Sequence, residues 1–290
     1  MKRQHLLGSI IGLGVLVVFL LIMVAITRHP ASIQGDSIRL LWLDSGLLVA
    51  YAAAAFWLWR QSSPGASLSA SVGMKFGGLL GCVHIANHLL EFLVADRPFV
   101  LIIAPVFLML ALFGAAGSVG WERTRSLVFA LIAGASCAVL GILIALIAAF
   151  LLNLTFEQKA ALQLKGAFAL SSMNNPEDFL VRNMLQATSE GLIRMPLLAV
   201  LLSFVGTVIN AFVKMLSRRI VLVVTFIIPI MFVAGALSLW YADSLNRSAR
   251  PPFILSGVAL AGVALSSAHA ILSALRRTRR RTANQMTEAT

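Results

Sequence analysis

Long runs of apolar residues without a charged side chain recur along the sequence and restrict the chain to a membrane environment. The first run, from Leu6 to Thr27, holds 22 residues with no acid and no base. A helix needs about 20 apolar residues to cross the hydrocarbon of a bilayer. The whole chain is 59% hydrophobic and only 12% charged, whereas soluble domains are typically roughly a quarter charged. We therefore expect an all-α integral membrane protein in which lipid surrounds most of the chain.

The apolar runs predict a bundle of about eight transmembrane helices. Their approximate ranges are 6–27, 40–59, 75–95, 99–119, 127–152, 192–213, 220–241 and 253–275. Together they form one polytopic domain, 1–275, followed by a basic tail, 276–290. All the tryptophans lie at the ends of these ranges, where an amphipathic ring is most stable: Trp42, Trp57, Trp59, Trp121 and Trp240.

The first apolar run has some features of a secretory signal peptide, because Lys2 and Arg3 precede it. Signal peptides have a shorter apolar region, of about 7–15 residues, and a small-residue cleavage site. Here Arg28, His29 and Pro30 follow the run instead. We expect a retained first helix.

Lysine and arginine are concentrated in alternate connections between the spans. With a cytoplasmic N-terminus, more than half of the 23 basic residues lie on the cytoplasmic side, including Lys2, Arg3, Arg60, Lys75, Arg123, Arg125, Lys214, Arg218 and Arg219. The positive-inside rule then predicts that both termini face the cytoplasm. The compact chain favours a bacterial inner membrane. The net charge of +12 comes from basic residues that lie between the spans and in the tail, as topology signals do. No nucleic-acid partner is therefore expected.

The tail is predicted to lie on anionic lipid, since a cluster of basic residues beside a span attracts anionic headgroups. Its arginines are Arg276, Arg277, Arg279, Arg280 and Arg281. The alternative is a docking site for a protein partner.

One connection is long, 153–191, and is predicted to lie outside. A helix start stands within it, formed by Asn175, Pro176, Glu177 and Asp178. Asparagine caps a helix, proline suits its first position, and acids meet the positive end of the helix dipole. We expect an external helical hairpin between the fifth and sixth spans, whose second arm continues into the sixth. It is a packed surface connector, a lid, or a site where these four residues dock a protein partner.

A polar stripe marks the third span. It consists of Gly77, Gly81, His84, His88 and Glu91, whose spacing places them on one face of a helix. Small residues let a neighbouring helix approach closely, and ionisable side chains in a membrane face the protein interior or water.

Three interpretations of the stripe remain open. Its side chains form interhelical hydrogen bonds, they line a proton or ion path, or they bind a divalent metal. The metal ligands would be His84, His88 and Glu91, with His269 of the eighth span as a candidate fourth. We favour hydrogen bonding, so no cofactor is predicted and metal is the alternative. We have expectations for two further polar residues. Asp44 should be hydrated at the outer interface, and Asn210 should make an interhelical hydrogen bond.

No motif in the chain names a reaction. The nucleotide-binding loop G-x-x-x-x-G-K-[ST], the zinc-protease motif H-E-x-x-H and the nucleophile motif G-x-S-x-G are absent from the sequence. The leading hypothesis is a non-enzymatic membrane subunit of an envelope transport or secretion assembly, bound to a protein partner or to copies of itself. One alternative is a stand-alone transporter or channel for a small solute or ion that uses the His84, His88 and Glu91 face. The other is a metal-dependent membrane enzyme.

Overall fold

A computed structural model describes residues 3–35, 37–94, 99–171 and 173–215, and within these ranges the chain is helical and has no β-strand. The helices are α1 (Arg3–Arg28), α2 (Ser37–Arg60), α3 (Pro64–Leu93), α4 (Phe99–Thr124), α5 (Leu127–Thr155), α6 (Glu157–Gln163), α7 (Lys165–Phe168) and α8 (Pro176–Met215). Among the described residues, six helices are long and apolar enough to cross a membrane. The prediction of an all-helical, multi-pass membrane protein is confirmed for this part of the chain.

Six of the predicted spans fall on these six helices. The predicted spans 220–241 and 253–275, His269 and the basic tail lie outside the described residues. We call the end of the bundle where α1 ends and α8 begins the outer end, in keeping with the predicted topology.

The helix of the third span begins earlier than predicted, at Pro64 instead of Lys75. The Ser63 side chain caps it by accepting a hydrogen bond from the Ala66 N–H. Its early turns are rich in serine, which made them look too polar for a span. Ser69 is buried and donates a hydrogen bond to the Phe129 carbonyl of α5 at 2.8 Å. Partners on the neighbouring helix therefore make these polar residues compatible with the bundle.

Helix α8 is a single helix of 40 residues, about 60 Å long, so the second arm of the predicted hairpin continues into the sixth span as expected. It begins at the predicted residue: the Asn175 side-chain oxygen accepts from the Glu177 N–H at 2.9 Å. Its first turns, assigned to an external arm, pack into the core, where Val181 and Leu185 are fully buried. Between α5 and α8, the described residues form only the short helices α6 and α7.

Helix α5 lies at the centre of the bundle and contacts α1, α3, α4 and α8. Its closest neighbour is α3, because glycines remove side chains from their interface. A Cβ on Gly77 would lie 2.9 Å from the Cys137 carbonyl oxygen, and one on Gly81 would lie 2.6 Å from the Ile144 side chain. The glycines of the predicted stripe thus lie where two helices approach closely.

Helix α4 packs against α3, α5 and α8. Ser203 of α8 donates a hydrogen bond to the Phe113 carbonyl of α4 at 2.9 Å, and Asn210 donates to the Ser118 hydroxyl at 2.7 Å. The second bond is the interhelical contact expected of Asn210. Both bonds belong to the inner part of α8, so the inner part of α4 fills the space between α3 and α8.

Candidate functional site

A cavity of about 800 Å³ opens in the outer half of the bundle. Helix α5 forms its floor, α3 and α8 form its walls, and α6 covers its outer side. The polar residues of its lining are His88, Glu91, Asn153, Lys159, Gln163, Asn183 and Thr188. Apolar side chains surround them, including Phe92, Leu146, Phe150, Leu180 and Met184.

The helix packing explains where the cavity lies. Helices α3 and α8 both pack on α5 and α4 rather than on each other. The contacts of α4 with α8 at Ser203 and Asn210 lie in the inner part of the bundle. Ala149 of α5 and Ala187 of α8 leave room in the outer half, because their side chains are too short to fill the gap.

Two of the three polar residues predicted to form a stripe line this cavity. His88 Nδ1 lies 3.5 Å from Glu91 Oε2, and the two side chains are 32% and 45% exposed. The Gln163 amide donates a hydrogen bond to the Glu91 carbonyl at 3.1 Å, which joins α6 to the outer end of α3. The end of the stripe therefore lies beside open space, while its glycines are packed.

His84 does not line the cavity. It lies one turn deeper in α3, and its Nε2 atom is buried with no hydrogen-bond partner in the part of the chain that the structure describes. In the described ranges, no group of three or more His, Cys, Asp or Glu side chains is arranged to hold a metal ion. His269, the candidate fourth ligand, lies outside these ranges.

Helix α6 adds a positive charge beside the cavity. The Lys159 ammonium group lies 6.0 Å from the centre of the Phe92 ring, within range of a cation–π contact. The lining therefore offers a carboxylate, an ammonium group, an imidazole and neutral amides next to an apolar floor. Such a surface is complementary to a molecule that has both polar and apolar parts.

Asp44 is the clearest difference from the sequence prediction, which expected it to be hydrated. It is fully buried, and the Ser189 hydroxyl of α8 donates a hydrogen bond to its Oδ1 at 2.5 Å. The prediction was wrong because it assigned Ser189 to an external loop. The first turns of α8 instead cover α2 and exclude water from this carboxyl group.

A second polar cluster, centred on His29, joins three elements at the outer end. His29 follows α1, and its Nε2 contacts the Glu157 carboxylate at the start of α6. Its Nδ1 lies 3.5 Å from Asp178 Oδ1 in the first turn of α8. Of the residues suggested for partner docking, Asn175 thus caps the helix and Asp178 faces His29. The role of His29 depends on distant parts of the chain, and no local pattern indicated it.

No protein-family model, no curated protein and no solved structure matches this chain.

Proposed function

We propose that the protein is a transporter for a small solute with both polar and apolar parts, which binds in the cavity in the outer half of the bundle. The observation that carries this proposal is the cavity between α3 and α8, with His88, Glu91 and Lys159 in its lining. Its volume of about 800 Å³ falls in the range of about 300–1,000 Å³ that is usual for small-molecule sites.

The arrangement of α4 supports transport rather than simple surface binding. A cavity in the outer half of a bundle whose inner part is closed by packed helices fits one state of an alternating-access carrier. The hydrogen bonds of Ser203 and Asn210 to α4 lie on the closed side. In this proposal, 220–241 and 253–275 complete a bundle of eight spans in a bacterial inner membrane, with both termini cytoplasmic.

The charges of the lining suggest the class of solute. Glu91 and Lys159 have opposite charges and lie at the same cavity, so a zwitterion with an apolar side group would match both. The assembly-subunit hypothesis does not require such a cavity, and the metal-enzyme hypothesis requires ligands that the described residues do not bring together. Both stay predictions and are less well supported by the geometry.

The first test is a thermal-shift measurement on the detergent-purified full-length protein. Zwitterionic, anionic and cationic solutes of matched apolar size are compared. We expect the zwitterions to raise the melting temperature most, because only they carry charges complementary to both Glu91 and Lys159.

In the variants His88→Ala and Lys159→Ala, at least about ten times more solute should be needed for the same rise in melting temperature. This corresponds to a loss of about 1.4 kcal/mol of binding free energy in each variant. Leu197→Ala is the control, since Leu197 is an exposed α8 residue, 67% accessible, outside the cavity. Solutes that stabilise are then assayed for uptake into liposomes, where His88→Ala should lower the rate. No stabilisation by any solute, or equal stabilisation of all variants, contradicts the proposal.

A further inference from the structure

A buried carboxyl group lies inside the membrane-spanning part of the bundle, apart from the cavity. Asp44 follows Ser37, the first residue of α2, by seven positions, about 10 Å along the helix axis. Its side chain is fully inaccessible to solvent. An ionisable residue at such a position is costly for the fold and commonly serves a proton or ion pathway.

The two carboxyl oxygens of Asp44 differ in their hydrogen bonding. Oδ1 accepts from the Ser189 hydroxyl, whereas Oδ2 is buried and has no hydrogen-bond partner among the described residues. In the described part of the chain, no ion pair joins Asp44 to a Lys, Arg or His side chain. An isolated carboxylate is very unfavourable in such surroundings, while a protonated carboxyl group is tolerated.

Among the described residues, the elements that pack against α2 are α1, the turn at Pro30–Ile33 and α8. On α8, Arg194 pairs with Glu190 at 2.8 Å, and Asp178 faces His29. Arg39 has an interaction of its own. The remaining ionisable groups on α1 and α2 are Arg3, His5, Arg28, Tyr51 and Arg60, and those on α8 are Glu177, Arg182 and Lys214. Of these, Arg3, His5, Arg60 and Lys214 lie at the inner ends of their helices.

We propose that Asp44 is an intramembrane proton-binding site. The carboxyl group carries its proton on Oδ2, while Oδ1 keeps the hydrogen bond from Ser189. On release, the Oδ2–H bond breaks, the proton passes to water, and the electron pair remains on the carboxylate. Release therefore requires that α8 move away from α2 and admit water.

This site does not depend on the solute cavity, but the two share a helix. Ser189 is adjacent to Thr188, which lines the cavity. A movement of α8 that opens Asp44 to water would therefore also reshape the cavity wall. Solute binding and proton exchange can each fail experimentally without the other.

The test is infrared difference spectroscopy of the full-length protein in liposomes as the pH is raised. We expect wild type to lose a carbonyl stretching band of a protonated carboxylic acid. Asp44→Asn should lack that band. Ser189→Ala should shift it to higher frequency, because the carbonyl oxygen loses a hydrogen bond.

Glu91→Gln is the matched control, since Glu91 is an exposed carboxylate at the cavity, and it should leave the band in place. If Asp44→Asn does not yield folded protein, the frequency shift in Ser189→Ala decides the result. Identical spectra for wild type and both site variants overturn the proposal, as does the lack of any band that responds to the Ser189 substitution.

Discussion

Single glycines determine how closely α3 approaches α5, and two neighbouring residues illustrate this. Gly77 faces α5, where an added Cβ would lie 2.9 Å from both a backbone oxygen and the Leu140 Cβ. Gly78, the next residue, has nothing within 4 Å of an added Cβ. A Cβ atom would therefore clash with α5 at position 77 but would meet no neighbour at position 78.

Gly77→Ala should lower the stability of the folded protein by about 1–3 kcal/mol, as overpacking of a closely packed site typically does. Gly78→Ala is its control and should be neutral or slightly stabilising, because alanine favours helix over glycine by up to about 1 kcal/mol. Thermal unfolding of both variants in the same detergent measures the difference. A Gly77→Ala protein as stable as Gly78→Ala would show that α3 and α5 do not pack as described.

At the scale of elements, α8 connects the His29 cluster, Asp44 and the cavity. Its first turn faces His29, and its next turns cover Asp44 and form one wall of the cavity. The Tyr51 hydroxyl of α2 donates to the Leu192 carbonyl near its middle. Its inner part is bonded to α4. Pro196 lies within this helix without ending it.

The His29 cluster should hold α6 over the cavity, since the imidazole contacts carboxylates of both α6 and α8. In His29→Ala we expect faster hydrogen exchange of the amides of α6 and of the first turn of α8. Removing one partner of a buried or partly buried polar contact typically costs about 1–3 kcal/mol.

His5→Ala is the comparison variant, because His5 lies at the inner end of α1. It should leave exchange in α6 unchanged. If His29→Ala also leaves α6 unchanged, the cluster does not restrain the cover of the cavity.

For the whole molecule, the proposed orientation places the connection α2–α3 in the cytoplasm and α6–α7 outside. Two exposed positions allow a direct test: Ser62 lies between α2 and α3, and Gly166 lies in α7 with open space around it. Single cysteines are introduced there after Cys82 and Cys137 are replaced by alanine.

Gly166→Cys should react with a membrane-impermeant thiol reagent in intact cells from which any outer barrier has been removed. Ser62→Cys should react only after the membrane is permeabilised. The reverse pattern would invert the topology and place the cavity opening on the cytoplasmic side.

The sequence by itself determined the class of the protein, because apolar runs of about 20 residues have no stable environment other than lipid. It also determined the start of α8, since the cap formed by Asn175 and Pro176 depends only on neighbouring residues. The same spacing rules placed His88 and Glu91 on one helical face.

Only the tertiary structure decided what those faces contact. It decided that Gly77 is packed while His88 and Glu91 border a cavity, that Asp44 is buried, and that His29 joins α6 to α8. Each of these features pairs residues far apart in the chain, such as Asp44 and Ser189. Local periodicity shows which residues share a helical face, but burial depends on which distant helix packs there.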